Sequence, residues 1–591
     1  MGLKCLLIFP PRAYPFMPYL APYALKGYVE RHSKHSVTCV DLNVSFFHLL
    51  WTGVFVESYA NDISPLERNS RLIAEAVHHH GHDSWSQLRN LSLYRDGRLE
   101  AIGSHHFMLR KAVELARELD LARGVPRDVL PPGKLTWRTY LPSFRRSIEY
   151  AFLQKELYKL NLSAYDVVGI SLAYMDQVPY GLLVAEEAKR ISKRVKVVVG
   201  GNALTHLLHN VQQDPSFFHS LDFGIPFEGE ITFLELLHSI ESSAPTQTLR
   251  NILSIVDGRV RYEQDFNSRA RAEVLPDFGD LHHLFPTPHP IYPLLTSKGC
   301  YWGKCTFCTH HEGYGEGYFP FSEQNLRQNV LQFTANGMSY FYFVDEALPP
   351  KAVYRFAGIM DNVQQQRGVQ FRWMAECRIE RTSANIEYVD RLQRSGCRFL
   401  ISGIESGSPR VLSMMKKGVD LECVSRFAEL CDAANIWTAW MFFVGFPGET
   451  EEEAQQTLSF LRDNANRVDF ASIGSFSLER GSPIWDNPDT FGITVLSGQK
   501  RTYQLVYDYE CAQSRRAVGR IDAKERLSSL LHRNADLIPL FKALPERCIP
   551  VFLDNKRSTR VDMQDLAFEW SSALLGKRVR LWPRGAFMQV L

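Results

Sequence analysis

Cysteine is scarce in this chain, 11 in 591 residues, which excludes a disulfide-stapled secreted scaffold. An excess of either charge is also missing. The 67 Lys and Arg against 65 Asp and Glu leave a net +2, whereas a dedicated nucleic-acid binder carries a strong basic surplus. No stretch approaches the roughly 18 to 20 apolar residues of a membrane span. The opening MGLKCLLIFPPR has too short an apolar run for a secretory signal, and Pro10-Pro11 ends it. Leu6 stands where a myristoylation signal needs Ser or Thr. No internal repeat or long low-complexity tract is visible. These absences predict a cytoplasmic protein with reduced thiols and with neither a membrane nor a nucleic-acid partner. What is present is 45% hydrophobic residues, enough at this length for two to four domains with real cores.

The first 245 residues alternate strand-like and helix-like patterns. KCLLIFPP (4–11), SVTCVDLN (36–43), YDVVGISLAY (165–174) and VKVVVGGNAL (195–204) are short buried runs. Helical segments such as YLAPYALKGYVERH and YGLLVAEEAKRISKR lie between them. DFGIPFEGEITFLELLHSIE adds a strand, a glycine turn and a helix. Such alternation predicts a doubly wound parallel α/β sheet, Rossmann-like in kind. Residues 44–164 read as a helical insertion, with the histidines of HHHGHD (78–83) in a solvated loop. A linker rich in Pro, Asp and His covers 246–285. From 286 to 490 the pattern resumes, with strand signals at 340–348, 371–380, 397–408, 436–450 and 469–483. That predicts a partial barrel of about six strand–helix pairs, whose site gathers at the carboxyl ends of the strands. Asp345, Glu346, Glu376, Arg378, Glu405, Ser406 and Glu449 fall at those ends. Residues 491–591 read as a small mixed domain that composition does not classify.

Three of the cysteines crowd into CYWGKCTFC: Cys300, Cys305 and Cys308. Buried structural thiols fit this polar, glycine-rich loop poorly. Zinc would want a fourth ligand, which His310 or His311 could supply. An iron–sulfur cluster with three thiolates would leave one iron open. Thiolates suit both, so the spacing alone leaves the choice open.

The surrounding motifs resemble the radical S-adenosylmethionine (SAM) superfamily over about residues 286–490. CYWGKCTFC resembles its cluster loop, with four residues in the first gap where the usual pattern has three. FVDEA, GIESGSPRVLSMMKKG and VGFPGETEEE follow in the family's order. The resemblance implies a [4Fe–4S] cluster on the three cysteines. It places Phe307 near the adenine, and Glu405 and Ser406 facing the ribose and methionine of SAM. Glu346, Glu376, Arg378 and the turn at Gly448 complete the implied SAM site. A doubly wound domain ahead of such a barrel resembles the cobalamin-binding class of this superfamily. Cobalamin would then meet Ser171, Leu172 and Tyr174 in SLAY, Gly200, Gly201 and Asn202 in GGNA, and Glu228 and Gly229 in EGE. Asp-x-His-x-x-Gly is missing, so no protein histidine is expected to ligate cobalt from below. Arg68 and Arg71 are candidates to approach that lower face.

Within the class, the layout resembles the tryptophan 2-C-methyltransferases of thiopeptide biosynthesis. The implied activity passes a methyl group from SAM to cob(I)alamin and from methylcobalamin to C2 of the indole of L-tryptophan. An external donor of flavodoxin or ferredoxin type would supply electrons. Indole C2 is already nucleophilic, so a methyl cation suffices and hydrogen abstraction is not needed. Glu273 is a candidate fourth iron ligand, and HHEGYGEGYFPF (310–321) a candidate lining for the indole. The rival readings are a radical methylase of a ribosomal peptide or other unactivated carbon, and a cobalamin and iron–sulfur sensor. A methylthiotransferase would need a second three-cysteine cluster, and the first domain offers only Cys5 and Cys39.

Overall fold

Alternation of short apolar runs with helices yields, at the start of the chain, a five-stranded sheet. Its strands are β1 (Lys4–Phe9), β2 (Ser36–Asp41), β3 (Val167–Ser171), β4 (Lys196–Gly200) and β5 (Phe223–Ile225). All pair in parallel in the order β2-β1-β3-β4-β5. Cys5–Phe9 and Val167–Ser171 are buried throughout, as strands covered by helices on both faces must be. The strand order reverses between β1 and β3, the point where doubly wound sheets of this order bind their ligands. The computed structural model describes residues 2–13, 15–52, 59, 68–95, 99–265, 272–279, 281, 285–309, 317–496, 503–512, 519–534 and 549–553.

Between β2 and β3 stand the long helices Leu42–Trp51, Arg68–Leu88, Leu99–Ala122 and Ile148–Lys159. The expected histidine loop is therefore helical. Ala74, Val77, Trp85 and Leu88 recur at helical spacing and join one core with Ile102, Leu109 and Leu115. His78, His79, His80 and His82 occupy the exposed face. The stretch read as a linker holds an antiparallel hairpin, Ser254–Val256 with Arg259–Arg261.

The second unit has six parallel strands in sequential order: β6 (Tyr292–Leu294), β7 (Tyr340–Leu348), β8 (Arg372–Cys377), β9 (Cys397–Glu405), β10 (Trp437–Val444) and β11 (Phe470–Ser475). Side chains alternate between two cores. Phe341, Phe343, Trp373 and Leu400 pack under the outer helices, while Tyr342, Met374, Phe399 and Ile401 belong to a core shared with the inserted helices. Val551, Phe552 and Leu553 join that second core at 0–1% exposure. The Phe552 ring lies 5.0 Å from Tyr340, the first residue of β7, and 5.4 Å from Tyr94. The amino-terminal end of the barrel is thus filled, and its functional end is the opposite one.

The described part of the tail packs onto the barrel. Helix Gly519–Arg533 lies along it, with the Arg526 guanidinium donating through Nη1 to the Glu449 carbonyl at 2.8 Å. Among the described residues no helix is long and apolar enough to cross a membrane.

Candidate active site

The chain leaves β6 into the cysteine loop under the control of Asp345. This fully buried carboxylate accepts from the Thr296 N–H, at 3.2 and 3.1 Å, from Thr296 Oγ1 at 3.0 Å and from Ser297 Oγ at 2.5 Å. Burial lifts its pKa to about 6 against the pull of those donors. Ser297 and Lys298 then pair antiparallel with Pro320 and Phe319, closing the loop's base.

The loop is pinned along its length to the segment 414–418. The Thr306 N–H donates to the Met415 carbonyl at 3.0 Å, and Thr306 Oγ1 donates to that of Met414 at 3.2 Å. Trp302 Nε1 donates to the Lys416 carbonyl at 2.8 Å. Arg378 lies with its guanidinium carbon 4.0 Å from the Trp302 ring centre and donates to the Lys417 carbonyl at 2.6 Å. Tyr301 donates to Glu380 at 2.6 Å. Cys300, Cys305 and Cys308 are partly exposed on this rigid frame. Burial raises the Cys305 thiol pKa, while Lys417 and Arg378 oppose the rise. Two held cations beside a thiol suit an anionic thiolate-ligated cluster, so these residues fit the group. Among the described residues no three His, Cys, Asp or Glu side chains converge on a single metal ion. His310 and His311 lie outside the described residues.

The other strand-end residues divide into two groups. Glu346 and Glu376 are half-buried at the carboxyl ends of β7 and β8, and Glu376 accepts from the Tyr342 hydroxyl at 2.7 Å. Glu405 takes a φ of 75°, which costs a non-glycine residue about 1 to 3 kcal/mol, and its carboxylate meets Lys417 Nζ at 2.8 Å. Phe307 meets Phe443 of β10 edge-on at 5.0 Å. Ser406, in contrast, is fully buried and engaged with Thr457 Oγ1 at 3.3 Å and the Ser408 N–H at 3.1 Å. Gly448 gives its carbonyl to Arg410 at 2.5 Å. Glu449 accepts from the Gly445 N–H at 2.5 Å, and burial pushes its pKa up to about 7. The Gly448–Glu449 turn is thereby held.

The first domain turns the carboxyl ends of its strands toward this end of the barrel. Lys298, beside the cysteine loop, donates to Glu230 at 3.1 Å, with side chains 3% and 11% exposed. Tyr19 stacks on Phe9 at 5.0 Å and meets Tyr174 edge-on at 6.1 Å. Burial, then Tyr174 and the barrel's Glu346, push its hydroxyl pKa well above the usual value. Ser171 and Leu172 are buried, and Leu172 packs in the sheet core. Tyr174, Gly200, Gly201, Asn202, Glu228 and Gly229 are half-buried along the rim. Gly201 serves the chain itself: at φ 104° a Cβ would stand 2.4 Å from the Leu172 carbonyl oxygen. Arg71 is exposed on helix Arg68–Leu88, which Arg68 opens. Glu273 is exposed and grips Ser322, the N-cap of helix Glu323–Ala335, through the N–H and, at 2.8 Å, the hydroxyl.

The family model of the radical SAM superfamily matches residues 294–461. Those residues form a radical SAM domain. An uncharacterised methyltransferase of Pyrococcus horikoshii is 24% identical over 326 residues, which cover 54% of this chain and 69% of the relative. The radical SAM methyltransferase TsrM from Kitasatospora setae, solved with cobalamin and a [4Fe–4S] cluster, matches 96% of this chain and 100% of its own at a TM-score of 0.59 and 14% identity. TsrM with tryptophan substrate and the SAM analogue aza-SAM matches 85% and 80% at a TM-score of 0.54 and 14% identity. The cobalamin-dependent SAM radical enzyme OxsB, with aqua-cobalamin and SAM bound, matches 97% and 73% at a TM-score of 0.54 and 12% identity. At these identities the likeness is one of fold, and it spans the doubly wound domain and the radical SAM barrel together.

Four residues at the facing ends of the two sheets escape a reading of the sequence. Lys298 and Glu230 meet across 68 residues of chain, while Lys417 meets Glu405 across 12, and only the KK of MMKKG hints at Lys417. Gln177 is wholly buried, accepts from the Ala173 and Tyr174 N–H groups at 2.9 and 3.1 Å and donates to the Pro10 carbonyl at 2.6 Å. It bridges the loops after β1 and β3 at the switch point.

Proposed function

We propose that this protein is a SAM- and cobalamin-dependent C-methyltransferase, with C2 of the indole of L-tryptophan as acceptor. The observation that carries the reading is the Lys298–Glu230 pair, which sets the ligand end of a doubly wound domain over the cysteine loop of a radical SAM barrel. Cobalamin bound there would relay the methyl group of SAM to carbon. Cys300, Cys305 and Cys308 would hold the [4Fe–4S] cluster. Phe307, Glu346, Glu376, Arg378 and Glu405 would surround SAM, while Ser406 and Gly448 shape its turns. Tyr174, Asn202, Glu228 and Gly229 would border the corrin, with Ser171, Leu172, Gly200 and Gly201 supporting that rim from behind. Arg68 and Arg71 remain the candidates for the lower cobalt face. Phe9, Tyr19 and Tyr174 form an aromatic wall suited to a flat substrate. An external donor of flavodoxin or ferredoxin type would keep the cofactors reduced.

Anaerobic incubation with SAM, cobalamin, a reductant and L-tryptophan tests this. The expected product is tryptophan heavier by one methyl group, formed only when cobalamin is present and with little 5′-deoxyadenosine. Stoichiometric 5′-deoxyadenosine would move the acceptor to an unactivated carbon, and an unchanged yield without cobalamin would overturn the proposal.

A further inference from the structure

Arg12 lies in the loop after β1 at a φ of 75°, in the left-handed region that glycine favours. Its guanidinium donates through Nε to Glu149 and through Nη2 to Asp120, both at 2.7 Å. The three side chains are only 16%, 2% and 4% exposed. The guanidinium also lies over the buried Tyr180 ring, 5.2 Å from its centre. Burial and the adjoining Glu149 push the Asp120 pKa up to about 8. At neutral pH the trio thus keeps one carboxyl proton, and its charges balance as one cation with one anion. Asp120 and Glu149 belong to helices Leu99–Ala122 and Ile148–Lys159, inserted between β2 and β3. The inserted helices grip the same loop twice more. Asn43 accepts from the Ala13 N–H at 2.8 Å, and Phe16 packs against Trp51 and His106 at 5.9 and 5.2 Å. A strained backbone conformation persists only where its surroundings over-determine it, and such residues cluster at ligand sites.

We propose that Arg12 is a positioning residue, through which the inserted helices set the loop after β1 as one wall of the cobalamin site. The inference rests on the reading of the first domain as a cobalamin domain. Its rim fits a broad, flat ligand. The loop runs from Phe9 to Tyr19 at the carboxyl ends of the strands, and those two rings stack at 5.0 Å with Tyr174 edge-on to Tyr19. Without the ion trio the loop loses its central anchor, and the rings at its two ends lose their fixed spacing. Buried ions are poor stabilisers in themselves, since apolar groups of similar volume often replace them without loss. Their use here is to hold one arrangement of the loop. This gives the inserted helices a task beyond covering the sheet.

Equilibrium titration of hydroxocobalamin into the cluster-loaded, cobalamin-free chain tests this, with electron paramagnetic resonance of the bound cob(II)alamin as a second readout. Arg12→Met combined with Asp120→Asn and Glu149→Gln removes the charges together, so none is left stranded. This triple variant is expected to fold and to keep the wild-type iron content and SAM binding. Cobalamin should bind to it roughly tenfold or more weakly, the loss usual when a group that orients a ligand is removed, and the cob(II)alamin spectrum should broaden. Arg12→Lys returns a cation to the two carboxylates and should recover most of the affinity and the wild-type spectrum. A folded triple variant with wild-type affinity and spectrum overturns the proposal and leaves the methyltransferase reading intact. A triple variant that fails to fold or to hold its iron also overturns it, because the trio then supports the fold and not the cofactor. A wild type that binds no cobalamin defeats the reading of the first domain itself.

Discussion

Lys298 reaches Glu230 at 3.1 Å from a position two residues before Cys300, and Glu230 opens the helix that follows β5. One buried ion pair therefore joins the cysteine loop to the rim of the doubly wound domain. Breaking such a pair strands a charge, which typically costs 3–5 kcal/mol, whereas an apolar pair of similar volume is tolerated. Lys298→Met should lose about that much stability in denaturant unfolding, and Lys298→Met with Glu230→Leu should recover most of it. Equal losses in the single and double variants would show that the pair does not couple the two units.

On the proposed reading Cys300, Cys305 and Cys308 hold one cluster together. Replacing all three with Ala should remove the iron and the visible absorbance of the anaerobically reconstituted protein while leaving its far-ultraviolet circular dichroism in place. Four irons retained by the triple variant would sink the cluster assignment.

Glu449 supplies a pH dependence with a definite sign. Its pKa rises from the ordinary 4.5 to about 7 in the fold, chiefly by burial. The folded state thus holds a proton that the unfolded chain gives up, so the contribution is complete below pH 4.5 and is lost as pH rises through 7. Glu449→Gln carries no such titration. Its stability relative to wild type should improve by roughly 3 kcal/mol between pH 4.5 and 8; a difference flat with pH would contradict the burial of a protonated Glu449.

Glu273 was a candidate iron ligand on sequence grounds, and the structure occupies both its oxygens with Ser322. Glu273→Ala should cost about 1 kcal/mol through the loosened helix end, with iron content and 5′-deoxyadenosine yield unchanged. A clear gain of reductive SAM cleavage in this variant would return Glu273 to the iron.

Both sheets were legible because their strands are buried on two faces and read as unbroken apolar runs. YFYFVDEAL spans β7 from end to end, 340–348. The carboxyl ends of those strands marked Glu405 and Arg378 for the same reason, and both meet Lys417. The histidines at 78–82 misled because a polar cluster conceals the helical spacing of Ala74, Val77, Trp85 and Leu88 on the opposite face. Glu273, offered as an iron ligand, also binds Ser322, 49 residues on, which its nearness to the loop in sequence does not reveal. Lys417, Lys298 and Gln177 depend on partners that only folding brings near. Val551–Leu553 give too short a run to declare that they fill a barrel.

The central claim is that SAM gives its methyl group to cobalamin on this chain, and it can be tested before any acceptor is known. Protein loaded with cluster and reduced cobalamin is mixed anaerobically with methyl-labelled SAM, and the cobalamin is recovered. The account predicts close to one label per cobalamin, S-adenosylhomocysteine in equal amount and little 5′-deoxyadenosine. Unlabelled cobalamin, with SAM either intact or cleaved to 5′-deoxyadenosine, would contradict it.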